Sequence, residues 1–171
     1  MPTQRDTILS PYQIADAFAA DFRSVEYALK RSGHLRKGKK VAEADWTGFA
    51  QELGEAFFHQ IQASGIAKTL IDHPPRQLLA TLDWSPPNPP PLANVTELIV
   101  NGVCRVRNSY IHGEKFTGGP DNQWERDALL VAEAHAVLRD AVGIRPLSLR
   151  DDADQPARSD VSAAALPSGE V

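Results

Sequence analysis

The sequence predicts an all-α protein, an up-and-down bundle of four main helices, and three observations carry that reading. Apolar residues recur at steps of three and four along four separate segments, the period of a helix with one buried face. No run shows the strict apolar–polar alternation of a half-buried strand. Helix-starting Ser, Asp and Asn residues precede the periodic segments, and glycines follow them.

The first helix opens at Ser10-Pro11, an N-cap followed by proline at the first helical position. Ile14, Phe18, Phe22, Val25 and Leu29 form its stripe, and Gly33 is its stop. The second follows Asp45, with Trp46, Phe49, Leu53, Phe57 and Ile61 on one face. Gly48 and Gly54 lower its intrinsic stability, so packing has to hold it. A short extra turn over residues 66–71 follows the Ser64-Gly65 break.

Residues 73–91 read as a long irregular connection, because Pro74-Pro75 and the run from Pro86 to Pro91 exclude regular helix and central strand. Leu78, Leu79, Leu82 and Trp84 suggest that this crossover packs onto the body. The third helix starts at Asn94 with Glu97 three residues on, a capping-box pattern. Its apolar side is Val95, Leu98, Ile99, Val103, Val106 and Tyr110, and His112-Gly113 offers an end. The fourth repeats the pattern with Asn122 and Glu125. Its stripe is Trp124, Ala128, Val131, His135, Leu138 and Val142, widened by Leu130, Ala134, Val137 and Ala141, with Gly143 as the stop.

Composition sets the boundaries. The 171 residues are 42% hydrophobic and 23% charged, the profile of one soluble globular domain. The organisation expected is an N-terminal extension over 1–9, one helical domain over 10–146 and a disordered acidic tail over 147–171. Cys104 is the single cysteine, which excludes an internal disulfide and disfavours a thiolate zinc site. With no apolar run of signal-peptide or membrane-span length, the expected setting is the cytoplasm, with no membrane partner. Neither a cofactor motif nor a metal-ligand spacing is present, so no cofactor and no metal are expected.

Net charge is −4, but residues 150–171 hold five acids against two arginines, leaving 16 basic and 17 acidic residues over 1–149. Local clustering therefore decides. Residues 30–40 contain Lys30, Arg31, Arg36, Lys37, Lys39 and Lys40 and no acid. This stretch connects the first two helices as a mobile basic loop able to touch phosphates. Charge runs are also ordinary solvated surface, and the absence of an aromatic residue leaves base stacking there without support.

The segment from Arg105 to Phe116 is the most unusual on the chain. It sets Arg105, Arg107, Asn108 and His112 on the end of one amphipathic helix. At about 100° per residue Asn108 and His112 share a face, with Arg105 close to it and Arg107 well round the cylinder. Bringing Arg107 beside His112 takes a local distortion, a long side chain reaching round, or a second subunit. By residue type alone such a face is also the ordinary solvated end of a helix, its cations favoured by the macrodipole.

The run Arg107-Asn108-x-x-x-His112-Gly113 resembles the signature of HEPN domains, an arginine, a polar neighbour and a histidine four to six positions on. The segment from Val25 to Arg31, the Asp45-Trp46 helix start and the proline-rich stretch before the third helix resemble bacterial HEPN proteins too. Glu114 stands where HEPN toxins paired with a nucleotidyltransferase antitoxin carry a tyrosine. The resemblance implies an all-α homodimer whose paired arginine–histidine sets line one cleft and cleave RNA without a metal. It makes Arg107, Asn108 and His112 the catalytic residues. Arg105, Lys115, Arg36, Lys37, Lys39 and Lys40 become RNA contacts. The partners expected are RNA, a second copy of the chain and an antitoxin protein, in a toxin–antitoxin, defence or stress setting. The alternative is a non-catalytic HEPN module that binds RNA or protein as a sensor, and a third reading is a purely structural helical dimer.

The chemistry follows from the residue types. Histidine titrates near neutrality and suits proton exchange with the 2′-hydroxyl or the 5′-oxygen. A guanidinium offers paired donors to the charged phosphorus transition state. Glu26 and Tyr27 are further candidates to support the site from the first helix, and Cys104 reads as packing. His135, on an apolar stripe, reads as a hydrogen-bonded core or interface histidine.

Overall fold

The computed structural model describes residues 11–77, 79–85, 87–111 and 124–144. The described elements are helical, with no β-strand among them. The expected terminal extension and tail, the Asn122–Glu125 cap, the His112-Gly113 helix end and Leu78 lie outside the described residues, as do the side chains of Tyr110 and Trp124.

Helix α1 runs over Pro11–Arg31. Phe18, Phe22, Val25 and Leu29 are buried, one turn after another. The end is tied off locally: the N–H of His34 reaches back to Leu29 O at 2.9 Å and that of Ser32 to Ala28 O at 2.8 Å. These bonds satisfy carbonyls that a helix C-terminus otherwise leaves open.

The second expected helix is two. Helix α2 spans Trp46–Leu53 and α3 spans Glu55–Ser64, parted by Gly54 at φ 76°, ψ 167°. That conformation is essentially restricted to glycine. Its residue therefore breaks the helix instead of merely weakening it. Phe57 and Ile61 are buried all the same, and Phe58 is buried beside them. Asp45 caps α2 by accepting the Gly48 N–H at 3.0 Å. The short extra turn is α4, Lys68–Asp72. Glu133, a buried carboxylate on the last described helix, caps it from far along the chain. Its carboxylate accepts the Leu70 N–H at 2.6 Å and the Thr69 N–H at 3.3 Å.

The connection over 73–91 is irregular as expected, but its leucines are not an anchor. Leu79 is 41% and Leu82 76% exposed, while Trp84 is half-buried. Backbone bonds close the segment on itself, Leu79 N–H to Asp83 O and Ser85 N–H to Gln77 O, both at 2.8 Å, and the Arg126 and Arg105 side chains tie it to the body through His73 O and Pro75 O.

The third expected helix begins where the capping pattern puts it. Asn94 Oδ1 accepts the Glu97 N–H at 2.9 Å, and Glu97 reaches back to the Ala93 N–H at 2.8 Å. It is then not uniform. Helix α5, Val95–Glu97, passes into a π-helical segment, Leu98–Cys104, and out into α6, Arg105–Ile111. The wider turns of a π segment rotate everything that follows it relative to an α-helical count. Close packing accompanies the widening: a Cβ on Gly102 would sit 3.2 Å from a Leu92 methyl and 3.4 Å from the Leu70 side chain, so a larger residue there would push those side chains back by a few tenths of an ångström.

Helix α7, Trp124–Ile144, packs along α1 in the most extensive pairing among the described elements. Leu130, Val131, Ala134, Val137, Leu138 and Ala141 are buried, with Ala128, His135 and Val142 half-buried. The centre of the buried face is thus the set that widened the stripe. His135 Nε2 lies 2.6 Å from Asp21 Oδ2 of α1, its ring tilted against Phe18. No described helix is long and apolar enough to cross a membrane.

Candidate nucleic-acid interface

Helix α6 carries Arg107 and Asn108 to a cavity of about 250 Å³ beside α1. The arginine is held there by apolar surface as much as by hydrogen bonds. Its guanidinium carbon lies 5.1 Å from the centroid of the Phe22 ring, within cation–π range. Phe22 is in turn stacked on Trp46, centroids 4.5 Å apart and planes 28° from parallel. One Arg107 Nη1 proton goes to Asn108 Oδ1 at 3.1 Å. Arg107 Nε is buried with no hydrogen-bond partner among the described residues. A buried donor without an acceptor is costly to keep.

The basic loop reaches the same cavity. Its base is closed: Leu35 and Ala44 form an isolated antiparallel bridge, with Arg36 N–H to Glu43 O at 3.0 Å and Asp45 N–H to His34 O at 2.9 Å. The loop expected to be mobile is therefore pinned where it leaves and rejoins the body. Arg36 lines the cavity opposite sequence-distant Arg107. Its Nη1 donates to Glu43 Oε2 at 3.0 Å, and Lys39 Nζ stands 4.0 Å from the other oxygen of that carboxylate. Lys37 and Lys40 are exposed on the loop and do not line the cavity.

Arg105 faces elsewhere. It donates to Asn101 Oδ1 at 2.9 Å and to Pro75 O at 3.5 Å, tying the proline-rich connection to the π segment, and burial lowers its pKa. His112 and Lys115 lie outside the described residues. Glu26 lines the cavity, whereas Tyr27 is exposed beneath the Arg31 guanidinium at 5.1 Å.

Glu43, Phe22 and Trp46 were not candidates from sequence. The two aromatics fit core stripes in the sequence, and a single glutamate beyond the basic run carries no signal of its own. Cys104 also borders the cavity, but burial pushes its thiol from 9.0 up to about 12, against the pull of Arg107. It stays protonated and is no nucleophile at neutral pH. No group of three His, Cys, Asp or Glu side chains able to hold a metal occurs among the described residues. The site's donors are thus guanidinium and amide, suited to anions and to base edges.

No family model matches the chain, and no curated protein or solved structure matches it.

Proposed function

We propose that the chain is a HEPN-type, metal-independent RNA endonuclease, a cytoplasmic homodimer with the four-helix up-and-down arrangement of that family. The observation that carries the reading is the convergence of Arg107, Asn108 and Arg36 on one cavity, with Arg107 and Asn108 opening the sequence pattern Arg107-Asn108-x-x-x-His112. Arg107 clamps the scissile phosphate, its fork matching two phosphate oxygens. Asn108 orients Arg107 through the hydrogen bond between them. His112, four positions beyond Asn108, takes the proton of the 2′-hydroxyl or returns one to the departing 5′-oxygen. Lys37, Lys39 and Lys40 supply sequence-independent attraction to the strand. Such an activity fits a toxin–antitoxin, defence or stress setting, with an antitoxin protein holding it off.

The test is cleavage of RNA in EDTA by wild type beside Arg107→Ala and His112→Ala. Loss in both variants, each still folded, is the expected result. A folded wild type that leaves several RNAs intact would overturn the reading.

One observation favours the second reading, a non-catalytic HEPN module that binds RNA or protein. Arg36 is already paired with Glu43, and Glu26 faces the same space, so the cavity is less cationic than its arginines suggest. RNA binding that survives His112→Ala, with no cleavage by either protein, would select it.

A further inference from the structure

Two carboxylates stand where a phosphate cleft has least use for them. Glu26 and Glu43 line the cavity with Arg36, Arg107, Asn108 and Trp46, and carboxylates lining one small cavity repel an entering phosphate. Neither is locked in place. Glu26 pairs with Lys30 and Glu43 with Arg36, each at 3.0 Å, and these four side chains are between 28% and 55% exposed. The Arg36–Glu43 pair, the more exposed of the two, is of the kind that contributes little in water and so is open to exchange for a ligand.

Size narrows the ligand. At about 250 Å³ the cavity falls below the roughly 300–1,000 Å³ that drug-sized molecules occupy, which suits one flat heterocycle and not a base pair. Chemistry narrows it further, because the walls offer guanidinium donors, carboxylate acceptors and an indole. Guanine shows both halves of the complement. Its O6 and N7 are the acceptor pair that an arginine reads bidentately. Its N1–H and N2–H₂ are two adjacent donors, the pattern a carboxylate accepts. Adenine and cytosine set one amino donor beside an acceptor, and uracil sets one imino donor between two acceptors. A Watson–Crick edge is open to such contacts only in an unpaired base.

Resting on the ribonuclease reading above, we propose that this cavity is the base-recognition subsite and takes one unpaired guanine. The guanine N1–H and N2–H₂ donate to the Glu26 and Glu43 carboxylates, O6 and N7 accept from Arg36, and Arg107 serves the adjoining phosphate. The carboxylates then give sequence preference to a site whose cations alone would bind any strand.

The experiment measures binding by the full chain, in EDTA, of fluorescent 2′-fluoro penta-uridines carrying a central guanine, adenine, cytosine or uracil. These strands lack the attacking hydroxyl, so binding is read apart from cleavage. The guanine strand should bind about 10-fold or more tighter than the others, the scale of one good bidentate base contact. In the Glu26→Gln/Glu43→Gln double variant that preference should collapse, with helical content retained. Arg36→Met, on an exposed side chain, should reduce it independently. Equal affinity for the four strands, no binding of any, or a preference that survives all these substitutions overturns the proposal. Parallel cleavage of the 2′-hydroxyl strands separates the two claims. Cleavage without base preference removes the guanine subsite and leaves the ribonuclease; guanine preference without cleavage does the reverse.

Discussion

Arg107 of α6 lies over the face of Phe22 of α1, guanidinium carbon to ring centroid 5.1 Å. The contact couples the site to the core, since Phe22 is 2% exposed and stacked on Trp46. Phe22→Leu shortens a buried side chain, at a cost of about 1–3 kcal/mol, and removes the π-face that holds the cation, worth about 0.5–2 kcal/mol. RNA cleavage by the protein that stays folded should therefore fall. Cleavage rate and thermal midpoint measured on the same preparation check this, and a rate unchanged from wild type would show that Arg107 is positioned without the ring.

Gly54 distinguishes one helix from two by the sign of a stability change. At φ 76°, ψ 167° an alanine is strained, and Gly54→Ala should destabilise the fold by about 1–3 kcal/mol. A continuous helix through this position would instead gain about 1 kcal/mol from the same change. The urea midpoint decides between them.

Glu133 holds the N-terminus of α4. Glu133→Ala leaves the Leu70 and Thr69 N–H groups without their acceptor, and should cost about 1–3 kcal/mol. Glu133→Gln retains one carbonyl oxygen and should recover part of the loss. Equal urea midpoints for all three proteins would mean that another group caps α4.

The Cys104 thiol supplies a pH prediction. Burial raises it from 9.0 to about 12 in the folded protein, so the folded state keeps its proton where the unfolded state has lost it. Its contribution to stability is present in full below about pH 9 and is lost as pH climbs towards 12. A thiol reagent at pH 8 should label the native protein slowly and the denatured protein fast. Prompt labelling of the native protein would contradict the burial.

What was legible in the sequence was local. Helices α1 and α7 announce themselves because Phe18, Phe22, Val25 and Leu29, or Leu130, Ala134, Val137 and Ala141, repeat one face over many turns. The break at Gly54 was hidden because Trp46, Phe49 and Leu53 continue in phase into Phe57 and Ile61, and a glycine reads alike as a weak helical residue or a break. The π segment was hidden for a similar reason: Leu98, Ile99 and Val103 fit an α-helical stripe, yet the backbone widens where Gly102 meets Leu92 and Leu70. Leu79 and Leu82 misled because exposed and buried leucines are spelled the same.

The candidate site was legible by halves. Arg107 and Asn108 stood out by residue type and Arg36 by the charge run around it, but their meeting at one cavity depends on how the 34–45 loop folds back on α1. The loop is closed on itself by backbone hydrogen bonds between His34 and Asp45 and between Arg36 and Glu43, which carry little side-chain signature in the sequence. Arg105, by contrast, looked equivalent to Arg107 and is turned to Asn101 and Pro75. Two positions along an α-helix are about 200° apart, enough to put one guanidinium in the cavity and the other behind it.

The most direct test of the central claim is the chemical identity of the ends produced when purified protein meets RNA in EDTA. Attack by the neighbouring 2′-hydroxyl, with Arg107 and His112 in the roles assigned, predicts 2′,3′-cyclic phosphate on one product and a free 5′-hydroxyl on the other, absent in Arg107→Ala and His112→Ala. Products ending in 3′-hydroxyl and 5′-phosphate, or cleavage that persists in both variants, would contradict the account.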